Sequence, residues 1–273
     1  MNFLDPSQAC RLQREASRSG MAKVIAVVNQ KGGVGKTTTT LSVGSYLADA
    51  GKFVLLVDMD PQANATAGLG VDHRSVTAGI YEVLAGLVSL RDAIRPTDHE
   101  GLSLLPASGA LAGANVELVT ADRREFRLAD VLLEARNNFD VILIDCPPSL
   151  GLLTINALVA ADAVLIPVQA EYYALEGLGQ LIETINLVRR ELRPSLEVLG
   201  AIITMYEGRL RLSNDVLQEL HRHFPDRVFR SVIPRNVRLA EAPSHGKTIA
   251  AYDADSKGAR AYEKLTRELL AVL

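Results

Sequence analysis

The chain has 273 residues, 48% of them hydrophobic and 22% charged, with a net charge of −3. That composition describes a soluble globular protein with material for a large core, and it argues against a protein that binds nucleic acid through bulk positive charge. No apolar run approaches the ~20 residues of a spanning helix, and two cysteines, Cys10 and Cys146, supply neither a disulfide framework nor a metal cluster and suit a reducing cytoplasm.

Residues 1–20 are polar, carry Arg11, Arg14 and Arg18, and lack the apolar stretch and cleavage site of a signal peptide. They read as a flexible extension ahead of a single domain over 21–273, and a translation start at Met21 is the alternative to a functional arm. Lys23–Asn29 (KVIAVVN) is a short apolar run and reads as a buried strand. A glycine-rich loop over Gln30–Thr38 follows, then a helix over Thr37–Ala50 that Gly51 stops with a left-handed cap. Phe53–Asp58 is a second strand, and Met59-Asp60-Pro61-Gln62 turns the chain at its C-terminal end, where loops line the ligand crevice of open α/β sheets.

Further strands are expected at Leu102–Pro106, Phe139–Asp145, Ala163–Val168, Val198–Thr204 and Val228–Ile233. Helical spacing runs through Arg123–Asn137, through a long amphipathic segment carrying Leu175, Leu178, Leu181, Ile182, Ile185 and Val188, and through Ala254–Leu273. Strands apolar on both faces and separated by helices predict a doubly wound, mostly parallel sheet in an α/β three-layer α/β/α sandwich.

The loop carries the chemistry. An ordinary phosphate loop reads G-x-x-x-x-G-K-[ST], with backbone N–H groups around phosphate oxygens, a lysine on the β/γ-phosphates and a hydroxyl on Mg²⁺. Gly35, Lys36 and Thr37 keep the last three positions, Gln30 replaces the first glycine, and Lys31 with Gly32 and Gly33 gives K-G-G-x-G-K-[ST]. This is the P-loop NTPase motif in its deviant Walker A form. Gly32, Gly33, Val34, Gly35, Lys36, Thr37 and Thr38 are therefore the expected nucleotide cradle, with Thr37 on Mg²⁺ and Asp145 holding a metal-bound water.

Asp58 and Asp60 bracket one residue, so their side chains diverge if the strand extends that far. Asp60, projected by the turn at Pro61, is the expected orienter of the attacking water, and Asp58 the support of the loop. Asn64 either reports the γ-phosphate or is a polar loop residue. Lys31 has little to do within one subunit, because Lys36 already supplies the charge. A second cation at this loop fits the phosphate of another molecule, as an arginine finger does, and implies a nucleotide-sandwich dimer.

On these residues the sequence resembles the ParA/Soj partition ATPases, within the deviant Walker A group that also contains MinD. The resemblance spans Ala22–Leu273 and rests on NQKGGVGKTTTT (Asn29–Thr40), LLVDMDPQANAT (Leu55–Thr66), VILIDCPPSLG (Val141–Gly151) and VIPRNVRLAEAPSHGKTI (Val232–Ile249). It implies ATP and Mg²⁺ as cofactors, Lys31 as the signature lysine reaching across a homodimer, and Asp60 as the residue needed for slow hydrolysis that a ParB-like centromere-binding partner stimulates. It also implies that bulk at Gly32 blocks closure and that Pro234 and Asn236 lie near the adenine. The ATP dimer is expected on non-specific double-stranded DNA through Arg209 and Arg238, helped by Lys257 or Arg260, and so in the cytoplasm on the nucleoid without stable membrane association.

The residues give that surface some support of their own. From Ala201 onward the chain carries 12 Lys/Arg against 9 Asp/Glu, a local basic bias. Arg209-Leu210-Arg211 follows a strand, and Arg235, Arg238 and Lys247 share a loop rich in helix breakers. Arg211 stands where relatives need not be basic and either enlarges the patch or is merely solvated. No helix-turn-helix domain precedes the loop, so operator binding is not expected. The alternatives are a MinD-like membrane positioner, for which the amphipathic end RAYEKLTRELLAVL lacks a basic-aromatic tip, and a positioner of another cargo. A nitrogenase-like iron protein needs cluster thiolates that two cysteines do not provide.

Overall fold

The computed structural model describes residues 20–171 and 176–273. The expected extension at 1–20, apart from Gly20, lies outside the described residues, as do Cys10 and Leu175. Strands β1 (Lys23–Val27), β2 (Val54–Asp58), β3 (Arg95–Pro96), β4 (Leu102–Leu105), β5 (Val141–Asp145), β6 (Ala163–Gln169) and β7 (Glu197–Thr204) form one sheet in the order β3-β4-β2-β5-β1-β6-β7. All pairings are parallel except that of the two-residue β3 with β4.

Two separate cores show why the strands are apolar throughout. Val24, Ala26, Leu55, Val57, Ile142, Ile144, Val164 and Ile166 face one layer, against the helices Leu111–Glu117, Arg127–Leu132, Leu152–Ala160 and Glu176–Glu191. The alternate residues Ile25, Val27, Val54, Leu56, Val141, Leu143 and Leu165 face the other, against the helices Lys36–Asp49 and Lys257–Leu270. A strand buried on both sides has no polar face to give it a period of two, and the expected doubly wound, three-layer sandwich is the observed one. Because the strands run parallel, the C-terminal ends of β1, β2, β5, β6 and β7 gather at one rim, where ligands of such sheets bind.

Three expected elements are corrected. Val228–Ile233 is not a strand. It runs beside β7 with isolated parallel bridges, Ala201 to Val228 and Tyr206 to Pro234, and single backbone bonds such as Ile233 N–H to Ile203 O at 2.8 Å. Regular pairing fails because β7 carries a bulge beside Val164 and Leu165 and because Phe229 lies on Gly200, where an added Cβ would stand 2.6 Å from Phe229 Cε2. The helix expected over Arg123–Asn137 shrinks to Arg127–Leu132 plus a 3₁₀ turn at Ala135–Asn137. Arg123 sits at φ 52°, outside helical space, and the buried Asn156 accepts from Leu128 N–H while donating to Arg124 O, capping the helix from outside. The terminal helix, expected from Ala254, begins at Lys257 with Ser256 as its N-cap, and a separate short helix Ile249–Asp253 precedes it.

Candidate functional site

The glycine-rich loop leaves β1 at the rim and enters the helix Lys36–Asp49. Gly33 at φ 75° and Gly35 at φ 89° take left-handed conformations that only glycine adopts without strain. The loop is pinned at several points. Asn29 donates to Pro167 O at 2.7 Å and accepts from Lys31 N–H at 2.9 Å, while Thr204 at the end of β7 donates to Val34 O at 2.7 Å. From the other layer, Thr39 and Tyr262 share a hydroxyl bond of 2.9 Å. The first helical N–H with a carbonyl partner is that of Thr39, bonded to Gly35 O at 2.8 Å, so the N–H groups of the first turn are left for an anion at the positive end of the helix dipole.

Lys36 is buried and points back over the loop, its Nζ 3.1 Å from Lys31 O. Burial pulls its ammonium below the ordinary lysine value, opposed chiefly by the charge of Asp145. Asp145, fully buried at the end of β5, accepts from Thr37 Oγ1 at 2.7 Å and from Thr40 Oγ1 at 3.1 Å. Burial pushes its carboxyl up, and neighbouring Asp58 pushes it further. Buried, mutually repelling carboxylates beside a hydroxyl at a helix N-terminus are a donor set suited to a hard, oxygen-seeking divalent cation, and Mg²⁺ bound to phosphate fits it.

Asp58 and Asp60 have separate partners. Asp58 Oδ2 accepts from Thr66 N–H at 2.8 Å and Thr66 Oγ1 at 2.7 Å, and its Oδ1 accepts from Asp60 N–H at 3.1 Å. It anchors the loop from below. Asp60 lies above it, 6% exposed, with Oδ1 accepting from Gln62 N–H and its charge felt by Lys36.

Lys31 stands apart from this buried set at the mouth of the loop, and its Nζ is 3.3 Å from Glu171 Oε2. Sequence reasoning gave it no partner within the subunit; the structure supplies one. Gly32 is exposed beside it, where an added Cβ would meet Pro148 Cβ at an ordinary 3.8 Å. Pro234 and Asn236 lie past the end of β7, at the same rim as Thr204. Pro234 bridges Tyr206, and Asn236 Oδ1 caps the short helix Val237–Glu241 by accepting from Arg238 N–H.

The expected basic residues are exposed but fall into two groups. Arg209 and Arg211 flank the start of the helix Arg211–His223. Arg238, Lys257 and Arg260 are brought together where the helix Val237–Glu241 packs on the first turn of Lys257–Leu270. That approach depends on Gly258, since an added Cβ would stand 2.6 Å from Leu239 Cγ. Sequence reasoning missed Thr204 and Glu171, single polar residues beside apolar runs, and gave no site role to Thr66, the last residue of LLVDMDPQANAT, or to Tyr262 on the terminal helix.

Among the described residues no helix is long and apolar enough to cross a membrane. A family model described as an AAA domain matches residues 22–198. The sporulation initiation inhibitor protein Soj of Bacillus subtilis (strain 168) is 52% identical over 251 residues, covering 92% of this chain and 99% of that protein. The chromosome partitioning protein ParA of Myxococcus xanthus (strain DK1622) is 50% identical over 250 residues, covering 92% and 88%. Among solved structures, a cobyrinic acid a,c-diamide synthase from Mycobacterium smegmatis with bound ATP analogue and magnesium superposes with a TM-score of 0.81 at 41% identity, over 91% of this chain and 94% of that one. With a phosphate loop of this geometry and half its residues identical to theirs along nearly its whole length, the chain belongs to the ParA/Soj family of chromosome-partitioning ATPases.

Proposed function

We propose that this ATPase is a dimerising switch that binds double-stranded DNA without sequence preference in its ATP form and drives chromosome or plasmid partition with a ParB-like partner. Residues 21–273 act as a single ATPase domain. The Gly32–Thr38 loop holds the triphosphate, Lys36 lies against the β/γ-phosphates, and Thr37 with Asp145, through water, holds Mg²⁺, which neutralises phosphate charge. Asp60 orients the attacking water, and Pro234 and Asn236 border the base. Arg209, Arg211, Arg238, Lys257 and Arg260 form the DNA surface, whose phosphate contacts make binding salt-sensitive. The protein then works in the cytoplasm, on the nucleoid.

The observation that carries this reading is the separation of the two lysines. Lys36 is buried over the loop, whereas the Lys31 side chain stands at the rim, its Nζ 3.3 Å from Glu171 Oε2. A cation so placed is available to the triphosphate of a facing subunit, which ties self-association to nucleotide. The test is an electrophoretic shift on random-sequence DNA with ADP, ATP and a slowly hydrolysed analogue. Retention is expected with triphosphate alone and its loss in Arg238→Glu; equal shifts under all nucleotides would remove the switch. In parallel, Asp60→Ala with Mg-ATP is expected to run as a dimer, and a monomer at high concentration would end the proposal.

A further inference from the structure

The arginines of the second basic group are not free cations. Arg238 Nη1 lies 2.9 Å from Glu241 Oε2 and its Nε lies 3.3 Å from Asp253 Oδ2, so one guanidinium faces two carboxylates. Glu241 is itself oriented by Tyr252, whose hydroxyl donates to Oε2 at 3.2 Å. Two residues beyond Asp253, Asp255 Oδ1 lies 3.2 Å from Arg260 Nη2. Asp253 thus ends the helix Ile249–Asp253 and Asp255 lies on the short link to Lys257–Leu270, and each pairs with one arginine of the group.

We propose that Glu241, Asp253 and Asp255 are built-in competitors of DNA phosphate, holding Arg238 and Arg260 in each subunit so that one subunit alone grips DNA poorly. This rests on the DNA-binding reading above and deepens it. An arginine fork already filled by carboxylate exchanges one charge-assisted bond for another when phosphate arrives, so its net gain is small. Pairs this exposed are individually weak, so the acids lower affinity without abolishing it. Two subunits joined by nucleotide double the number of phosphate contacts, and phosphate contacts compound steeply in affinity. The acids therefore set a threshold that a dimer passes and a monomer does not. They also hasten release, because a ready intramolecular partner awaits each arginine as the phosphate leaves.

The test compares random-sequence DNA affinity at constant salt for wild type, Arg238→Glu, the isosteric double variant Asp253→Asn/Asp255→Asn, the single variant Glu241→Gln, and a charge-matched control, Glu100→Gln/Glu134→Gln, whose acids lie in a cleft lined by residues at the start of β2 and β4. All are measured with a slowly hydrolysed ATP analogue and with ADP. The double variant is expected to bind about three- to tenfold more tightly than wild type with the analogue, and to show measurable binding with ADP. Glu241→Gln should change in the same direction, and the control by less than about twofold. Tightening equal to that of the control would show a mere net-charge effect and overturn the competitor role, as would unchanged or weaker binding. If wild type binds and Arg238→Glu does not while the acid variants match wild type, this inference alone falls. If wild type fails to bind under any nucleotide, the DNA reading falls with it.

Discussion

Thr66→Val is the substitution that tests how the turn carrying Asp58 and Asp60 is held. Thr66 is fully buried, and its hydroxyl has two duties: it donates to Asp58 Oδ2 at 2.7 Å and accepts from Ala107 N–H at 2.9 Å. Burial raises the Asp58 carboxyl to about 6, and the two Thr66 hydrogen bonds are the largest opposing effects. Valine keeps the shape but strands the Ala107 N–H and removes one donor from Asp58. A hydrogen bond to a charged group contributes about 1.5–3 kcal/mol and an orphaned buried N–H costs about 1–3 kcal/mol; because the two effects overlap, the expected loss is about 3 kcal/mol. At about 2–4 °C per kcal/mol for a domain of this size, the melting temperature should fall by about 10 °C. Thr66→Ser keeps the hydroxyl and should lose only about 1 kcal/mol. Thermal denaturation followed by circular dichroism reads both. Since Asp58 also receives the Asp60 N–H, the valine variant should bind nucleotide yet hydrolyse it more slowly. A valine variant melting within about 2 °C of wild type, or a serine variant as unstable as valine, would refute the hydroxyl's structural role.

Other outcomes follow from contacts elsewhere. Gly258→Ala should push Leu239 off the terminal helix, where the added methyl would stand 2.6 Å from Leu239 Cγ, lowering stability by about 1–3 kcal/mol and weakening DNA retention while leaving hydrolysis measurable. A Cβ added at Gly32 would meet Pro148 Cβ at an ordinary 3.8 Å, so Gly32→Val should melt like wild type by calorimetry and stay monomeric with Mg-ATP in sedimentation. Asp162 supplies a pH dependence. Burial pushes its carboxyl up, but the hydrogen bonds from Arg136 and from Val24 N–H, with the charges of Arg136 and Arg193, outweigh that and hold it below the ordinary carboxylate value. A group depressed on folding stabilises the native state fully above its unfolded value of about 4, and that contribution disappears as pH falls through the lower folded value. Asp162→Asn should therefore flatten the acid limb of a stability-versus-pH curve, and an unchanged limb would assign acid unfolding to other carboxylates.

The layered sheet and the phosphate loop were legible because each depends on local pattern. Strands buried on both faces read as unbroken apolar runs, and the loop is a fixed spacing of glycines, lysine and hydroxyl. The stretch from Asn64 to the strand at Leu102 was opaque. Its helices, Asn64–Gly68, Ile80–Leu84 and Leu90–Ala93, are too short for a helical period to accumulate. Val228–Ile233 misled for the opposite reason, since an apolar run records burial but not whether the neighbouring edge offers regular pairing. Polar residues that meet only in space, such as Lys31 with Glu171 or Thr39 with Tyr262, leave no spacing to read.

The two margins of the sheet explain how such a protein tolerates crowding. At one margin β3 has only two residues, one of them Pro96, and at the other β7 is overlaid by the irregular run through Val228 and Pro234. Neither offers a row of open backbone groups on which a further chain could extend the ladder. Growth of a fibre by strand addition is thereby disfavoured at both margins, and contact between copies is left to surfaces other than the sheet edges.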